Sequence, residues 1–262
     1  MTTEEACSGP AFGLLIVGDE ILSGKRVDKH LPKVIELLGA RGLSLSWVRI
    51  VGDDRARITA ALREAFASGD IVFSCGGIGA TPDDHTRQCA AAALGVGLEL
   101  HPEARALIEE RMRDVAREQG QPWEPDRPDN VHRLNMGVFP VGATIIPNPY
   151  NKIPGFSCAG AGQGALHFVP GFPVMAWPMI EQILDQRYAH LFARQQRCER
   201  SAIVSIRGVK VFSLPSVDHP EWGRHIDLGV KGGIEASAAA YADLLAGLRQ
   251  LGAKLGPEMV RD

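Results

Sequence analysis

Residues 74–87, Ser-Cys-Gly-Gly-Ile-Gly-Ala-Thr-Pro-Asp-Asp-His-Thr-Arg, set three glycines and two adjacent carboxylates just after the apolar run Asp70-Ile-Val-Phe-Ser-Cys. Glycines at 76, 77 and 79 let the backbone adopt left-handed angles and approach a ligand closely. Free N–H groups at the start of the helix that follows favour an anion. The chemistry indicated is binding of a phosphorylated ligand. A second acidic pair, Asp53-Asp54, also follows a strand-like run, so both pairs can face one crevice outside the carboxyl ends of the strands. Asp54, directly before Arg-Ala-Arg-Ile-Thr-Ala-Ala-Leu, reads as a helix N-cap, which leaves Asp53 the freer carboxylate.

Two common phosphate motifs fail against this chain. Gly77-Ile-Gly79 lacks the third glycine of a dinucleotide fingerprint. Gly18-Asp-Glu-Ile-Leu-Ser-Gly24-Lys25-Arg26 has the wrong glycine spacing for a Walker loop, and Arg26 stands where that loop needs a magnesium-binding hydroxyl. Nicotinamide dehydrogenases, kinases and ATPases are thereby set aside.

The elements that must position these residues alternate: strand 11–18, helix 28–41, strand 44–51, helix 54–67, strand 70–75, helix 84–94 and helix 103–119. That order predicts an α/β fold with a parallel sheet covered on both faces. In helix 28–41, Leu31, Val34, Ile35 and Leu38 form the core-facing stripe, with Asp28 near the start and Gly42 beyond the end. Ile58, Ala61, Leu62, Ala65 and Phe66 read as core at helical spacing. Three prolines between 120 and 130 predict a surface loop, in which Trp123 either pins the loop or covers the ligand site. A short helix over 130–136 and a strand over 143–147 follow. Segments 201–215 and 224–232 and a helix over 236–251 suggest a small α+β lobe. The polar stretch 194–200 marks the boundary, giving domains 1–193 and 194–262.

The chain has 262 residues, 45% hydrophobic and 23% charged, with a net charge of −3, so it offers no basic face for nucleic acid or an acidic membrane. The apolar runs are strand-length and Met-Thr-Thr-Glu-Glu lacks a basic leader, so a cytoplasmic protein is expected. Five scattered cysteines form no Cys-x-x-Cys pair and read as reduced thiols, Cys75 as a small buried side chain with no evident base. His85 is a secondary ligand candidate in the first turn after Asp84. His219 and His225 lack a third partner for zinc.

Gly18-Asp19-Glu20-Ile21-Leu22-Ser23-Gly24, followed by Gly76-Gly77-Ile78-Gly79-Ala80-Thr81-Pro82-Asp83-Asp84, resembles the molybdopterin-binding (MoaB/Mog-like) domain of CinA-type proteins. Asn148-Pro-Tyr-Asn-Lys-Ile-Pro154-Gly155-Phe156 and Val169-Pro170-Gly171-Phe172-Pro173 look like that family's two Pro-Gly loops, extending the resemblance over residues 11–190. It implies a three-layer Mog-like domain with a mostly parallel sheet and a small α+β C-terminal lobe. It also implies ligand contacts from Gly18, Asp19, Glu20, Gly76, Gly77, Gly79, Thr81, Asp83, Asn148, Pro154, Gly155, Pro170 and Gly171. Asp53 and Asp84 match the aspartates held to assist nucleotide-dependent chemistry in Mog-type domains, with Asp84 also the metal ligand. Carboxylates near a phosphate repel it unless a divalent cation bridges them, or unless they instead accept hydrogen bonds from a pterin or purine edge. The ligand implied is molybdopterin or a nucleotide. The alternatives are a magnesium- or cobalt-dependent ADP-ribose or FAD pyrophosphatase and a degenerate oligomeric scaffold. The family's assemblies imply a dimer or trimer.

This chain departs from the family pattern at Ala80, where proline is usual, and at the Asn148 loop, where Gly-Thr-Ala is replaced. The trailing lobe looks shortened between Ile203 and Gly208, and the nicotinamide-nucleotide deamidase domain of full-length relatives is not expected here.

Overall fold

The computed structural model describes residues 10–192, 197–205, 214–219 and 223–261. The chain divides into two units, one through residue 192 and one from residue 193. The first unit runs β1 (Phe12–Val17), α1 (Asp19–Leu22), α2 (His30–Gly39), β2 (Leu45–Val51), α3 (Arg55–Ser68) and β3 (Ile71–Cys75). It continues with α4 (Thr86–Leu94), β4 (Leu98–Leu100), α5 (Pro102–Glu118), α6 (Pro128–Arg133), β5 (Val138–Pro140), β6 (Thr144–Ile146), β7 (Gly155–Ala159), β8 (Ala165–Val169) and α7 (Pro173–Arg187).

The expected mostly parallel α/β sheet is present. Six strands pair in the order β2-β1-β3-β8-β7-β6. The first four run parallel, and at one edge β7 reverses, pairing antiparallel with both β8 and β6. Every residue of β1 and β3 is buried, because helices cover both faces of the sheet. On one face Val34, Leu37 and Leu38 of α2 meet Met179, Ile180 and Ile183 of α7 over the sheet. On the other, Ile58, Leu62 and Phe66 of α3 and Ala90 of α4 pack against Leu15, Val72 and Phe168. Phe156 and Phe168 stack with centroids 4.4 Å apart, and each buried ring contributes about 1.5–3 kcal/mol. From β1 the chain moves outward through α2 to β2, then returns through α3 to β3 on the other side of β1. The sheet therefore has a switch point between β1 and β3, where α/β sheets open a crevice at the strands' carboxyl ends.

Several expectations are corrected. Ile35 is 52% exposed and Leu37 takes the core position, since the α2 stripe is rotated away from it. The segment 120–130 is not wholly irregular: Pro128 opens α6 at its first turn, where a missing N–H costs nothing. Trp123 packs under the Arg113 guanidinium, 5.5 Å from its ring centroid, which ties the loop to α5. No alternating pattern marks β4 and β5, of three residues each, or β7 and β8, of five each.

The second unit comprises β9 (Arg197–Ser205), β10 (Leu214–His219), β11 (Gly223–Gly233), α8 (Ile234–Gln250) and β12 (Lys254–Arg261). Its four strands pair as β10-β11-β9-β12, and Leu228, Tyr241 and Leu248 form its core. Residues 206–213, on which the expected shortening rests, lie outside the described residues, as do Cys7 and the side chain of His219. No helix among the described residues is long and apolar enough to cross a membrane.

Candidate functional site

The loops after β1, β2, β3 and β8 leave the same edge of the sheet and frame the switch point. Gly76 and Gly77 are required there by backbone fit. At φ 103° and 69°, a Cβ would come within 2.3 Å of the Val17 carbonyl and 2.1 Å of Thr86 Oγ1. Thr86 closes the turn by donating its hydroxyl to the Gly76 carbonyl at 3.1 Å and its N–H to the Gly77 carbonyl at 3.0 Å. Gly171 rests on this turn, 3.4 Å from the Gly76 Cα as measured from its own Cβ position, and follows Pro170 at the end of β8.

Across the switch point, α1 and the β2 loop hold each other through paired aspartates. Asp19 N–H donates to Asp53 Oδ2 at 2.9 Å, and Asp53 N–H donates to Asp19 Oδ1 at 3.2 Å. Gly52 permits this, because a Cβ there would meet Asp19 Oδ1 at 2.2 Å. An open cleft of about 600 Å³ results, lined by Asp19, Glu20, Leu22, Ser23, Lys25, Asp53 and Asp83. Burial raises the Asp53 carboxyl above its ordinary value; the Asp19 N–H opposes that shift and the charges of Asp19, Glu20 and Asp83 add to it. Asp83 moves the other way, held low by the nearby Thr81 hydroxyl and its own backbone N–H, with His85 adding a little.

The remaining residues implied by the resemblance have diverse placements. Asp84 braces the loop: its Oδ2 accepts from the Thr81 N–H at 2.8 Å and the Thr81 hydroxyl at 2.5 Å, and it abuts Gly79. Gly18 is buried at the end of β1 and donates its N–H to the Val51 carbonyl at 3.0 Å. Asp54 caps α3 as expected, accepting from Arg57 N–H at 2.8 Å. His85 occupies the cap position of α4 without a side-chain cap bond. Asn148 is buried and spends its amide on its own loop, with Asn151, Ile153 and Tyr150. Pro154 and Gly155 are buried at the start of β7, and a Cβ on Gly155 would strike the Phe168 carbonyl at 2.3 Å. None of these last three lines the cleft. Burial pushes the Cys75 thiol far up, which removes it as a nucleophile at neutral pH.

Arg87, the last residue of segment 74–87, is a functional candidate that the sequence pattern did not single out. It is 3% exposed and donates from Nη2 to the Gly79 carbonyl at 2.6 Å. Its Nε and Nη1 have no partner among the described residues. A guanidinium thus lies beneath the glycine loop and biases it electrostatically toward an anion. His132 of α6 supports the loop from the other side, donating from Nε2 to the Ala80 carbonyl at 3.0 Å. No group of three or more His, Cys, Asp or Glu side chains suited to a metal ion occurs among the described residues. A magnesium ion needs only one or two protein carboxylates, taking its other ligands from water and phosphate, and the Asp53–Asp83 cleft fits that mode.

A family model described as "Probable molybdopterin binding domain" matches residues 13–190, from within β1 to past the end of α7. The chain belongs to this molybdopterin-binding family. A CinA-like protein of Anaeromyxobacter dehalogenans (strain 2CP-1) is 34% identical over 208 residues, covering 79% of this chain and 46% of that protein. Another, from Syntrophotalea carbinolica, is 31% identical over 206 residues, covering 78% and 45%. The chain spans about half the length of these relatives. A crystal structure of "the protein CinA with unknown function" from Thermoplasma acidophilum superposes with a TM-score of 0.56 at 28% identity, over 67% of this chain and 96% of that one. Family membership supports pterin or nucleotide binding as a general role for the Mog-like domain.

Proposed function

We propose that the chain binds a phosphorylated pterin or nucleotide, with its phosphates at the Gly76–Gly79 loop and in the adjoining carboxylate cleft. The observation that carries this reading is the convergence of that loop, backed by the buried Arg87 charge, with Asp19, Asp53 and Asp83 at the switch point. Four carboxylates and one lysine repel a bare phosphate, so the ligand enters with a divalent cation. The cation, when bound, neutralises the phosphate oxygens. Asp83, held ionised, faces it from the cleft, while Asp84 fixes Thr81 and leaves Oδ1 outside those bonds.

A second reading, hydrolysis of a pyrophosphate such as ADP-ribose or FAD, is favoured by the opposite shifts of Asp53 and Asp83. Carboxyls pulled apart in one cleft divide into a proton carrier and a fixed charge. Asp53 takes the proton of the attacking water as its oxygen bonds to phosphorus, and the bridging P–O bond breaks to release the second phosphate.

Thermal shift with ADP-ribose, with and without magnesium or cobalt, tests binding. A cation-dependent rise in Tm that Asp83→Asn abolishes is expected. Absence of any rise with ADP-ribose, AMP or a pterin phosphate would favour a non-catalytic scaffold. AMP release by wild type, Asp53→Asn and Asp84→Asn then separates binding from hydrolysis. Loss in Asp53→Asn with the Tm rise retained supports turnover, and a wild type that binds without releasing AMP removes it.

A further inference from the structure

Beside the carboxylate cleft, sharing Glu20 with it, lies a second pocket of about 280 Å³ between the ends of β1 and β3, the start of α2 and the β8–α7 loop. That is smaller than a site for a whole drug-sized ligand and suits a single ring system. Its walls are largely apolar, with Ile16, Val17 and Ile21 on one side and the Phe172 ring, 56% exposed, at the mouth. Arg26 stands 6.0 Å from the Phe172 centroid.

Glu20, Arg26, Asp28, Lys29 and His30 are the polar residues of this lining; Asp28 accepts from the His30 and Leu31 N–H groups, and His30 is the one with an unmatched buried ring atom. His30 is 5% exposed at the start of α2, and its Nε2 lies 3.0 Å from the Gly171 carbonyl. A carbonyl only accepts, so Nε2 carries a hydrogen; in that tautomer Nδ1 is the acceptor of the ring. Nδ1 is buried and has no partner among the described residues. An unmatched buried acceptor costs roughly 1–3 kcal/mol, a cost relieved when a donor reaches it. A flat ring that slides against Phe172 and offers an N–H at its edge meets both demands of the pocket. A phosphate alone offers neither a flat face for Phe172 nor an N–H for Nδ1.

We propose that this pocket is the ring subsite of the ligand, and that His30 Nδ1 accepts an N–H from the amino-pyrimidine edge common to purines and pterins. The assignment rests on the phosphate-binding reading above for the rest of the ligand, which extends from the ring past Gly76 and Gly171 to the glycine loop.

Calorimetric titration of the full chain in magnesium tests it with five probes: AMP, its analogue lacking the 6-amino group, neopterin monophosphate, ribose 5-phosphate and free adenine. The expected result is about tenfold tighter binding of AMP, or of neopterin monophosphate, than of ribose 5-phosphate, with His30→Phe removing that gain and leaving ribose 5-phosphate unchanged. Tighter binding of AMP than of the desamino analogue assigns a purine, and gain confined to neopterin monophosphate assigns a pterin. Phe172→Ala, on the exposed rim, is expected to reduce the same gain and serves if His30→Phe does not fold. Ring-bearing and ring-free probes that bind equally, or variants that weaken all probes alike, would overturn the subsite and leave the phosphate site standing. Adenine that binds through His30 while ribose 5-phosphate does not bind would uphold the subsite and overturn the phosphate site. Failure of every probe overturns both.

Discussion

Asp53 is where the cleft's chemistry and the fold's stability oppose each other. Its carboxyl is raised in the folded state, chiefly by burial, so the folded protein holds that proton more tightly than the unfolded chain does. The stability contributed by this group is therefore present below the unfolded carboxyl value and is lost as pH rises through the folded one. At neutral pH the ionised Asp53 is a liability. Asp53→Asn keeps an oxygen to accept the Asp19 N–H and sheds the charge, so its Tm at pH 7 should exceed that of wild type, with the difference shrinking as pH falls toward 4. A Tm difference independent of pH would show that charge is not the cause. Asp53 and Asp83 were legible because an acidic pair follows an apolar strand run, in the case of Asp83 beyond the glycine loop; Asp19 and Glu20 were legible through the family resemblance, and the Asp54 cap because it depends only on its own helix. Arg87 and His30 were not, since a polar side chain's burial is set by elements far away in the chain: Gly171, His30's partner, lies at the end of β8.

At the scale of elements, β7, β8 and the end of α7 are joined by a buried polar chain. Arg187 Nη1 donates to Ser157 Oγ at 3.1 Å, the Ser157 hydroxyl lies 2.7 Å from His167 Nδ1, and His167 Nε2 lies 2.6 Å from the Tyr188 hydroxyl. With Ser157 Oγ accepting from Arg187, its own hydrogen goes to Nδ1, and His167 Nε2–H donates to Tyr188. Burial, with the Arg187 charge adding to it, lowers His167 to about 3, so the ring stays neutral in the folded protein. This group stabilises fully above its unfolded value and loses that contribution as pH falls from about 6.5 toward 3. Urea unfolding across that window should show stability falling with acid, and His167→Gln should flatten the slope; an unchanged slope would assign the acid sensitivity elsewhere. The glycine turn yields a second test. Gly77→Ala must hold a left-handed backbone, costing about 1–2 kcal/mol, and also displace Thr86, so a clear drop in Tm is expected. Sequence periodicity found the long elements up to α5 but missed α7, which carries Pro178 inside it, and the five-residue strands β7 and β8; buried β7, Gly-Phe-Ser-Cys-Ala, shows no alternation for a pattern to catch.

For the whole molecule, the sheet's topology explains why the site stands where it does and also exposes a surface beyond the site. The antiparallel hairpin ends one side of the sheet in a three-residue strand, β6, too short to template much pairing. The other side ends in β2, seven residues long, with Val48 and Ile50 exposed on it. Arg49, the charge that would keep such an edge apart from its like, is 2.7 Å from Glu64 of α3. A long, partly apolar edge with its charge neutralised favours pairing with another copy, in line with the dimer or trimer implied by the family resemblance. Light scattering at micromolar concentration should give two or three times 28.2 kDa, and Val48→Lys should lower the mass toward one copy. A wild-type mass of one copy would remove the oligomer. A wild-type oligomer that Val48→Lys leaves intact would move the interface away from β2 and keep the assembly.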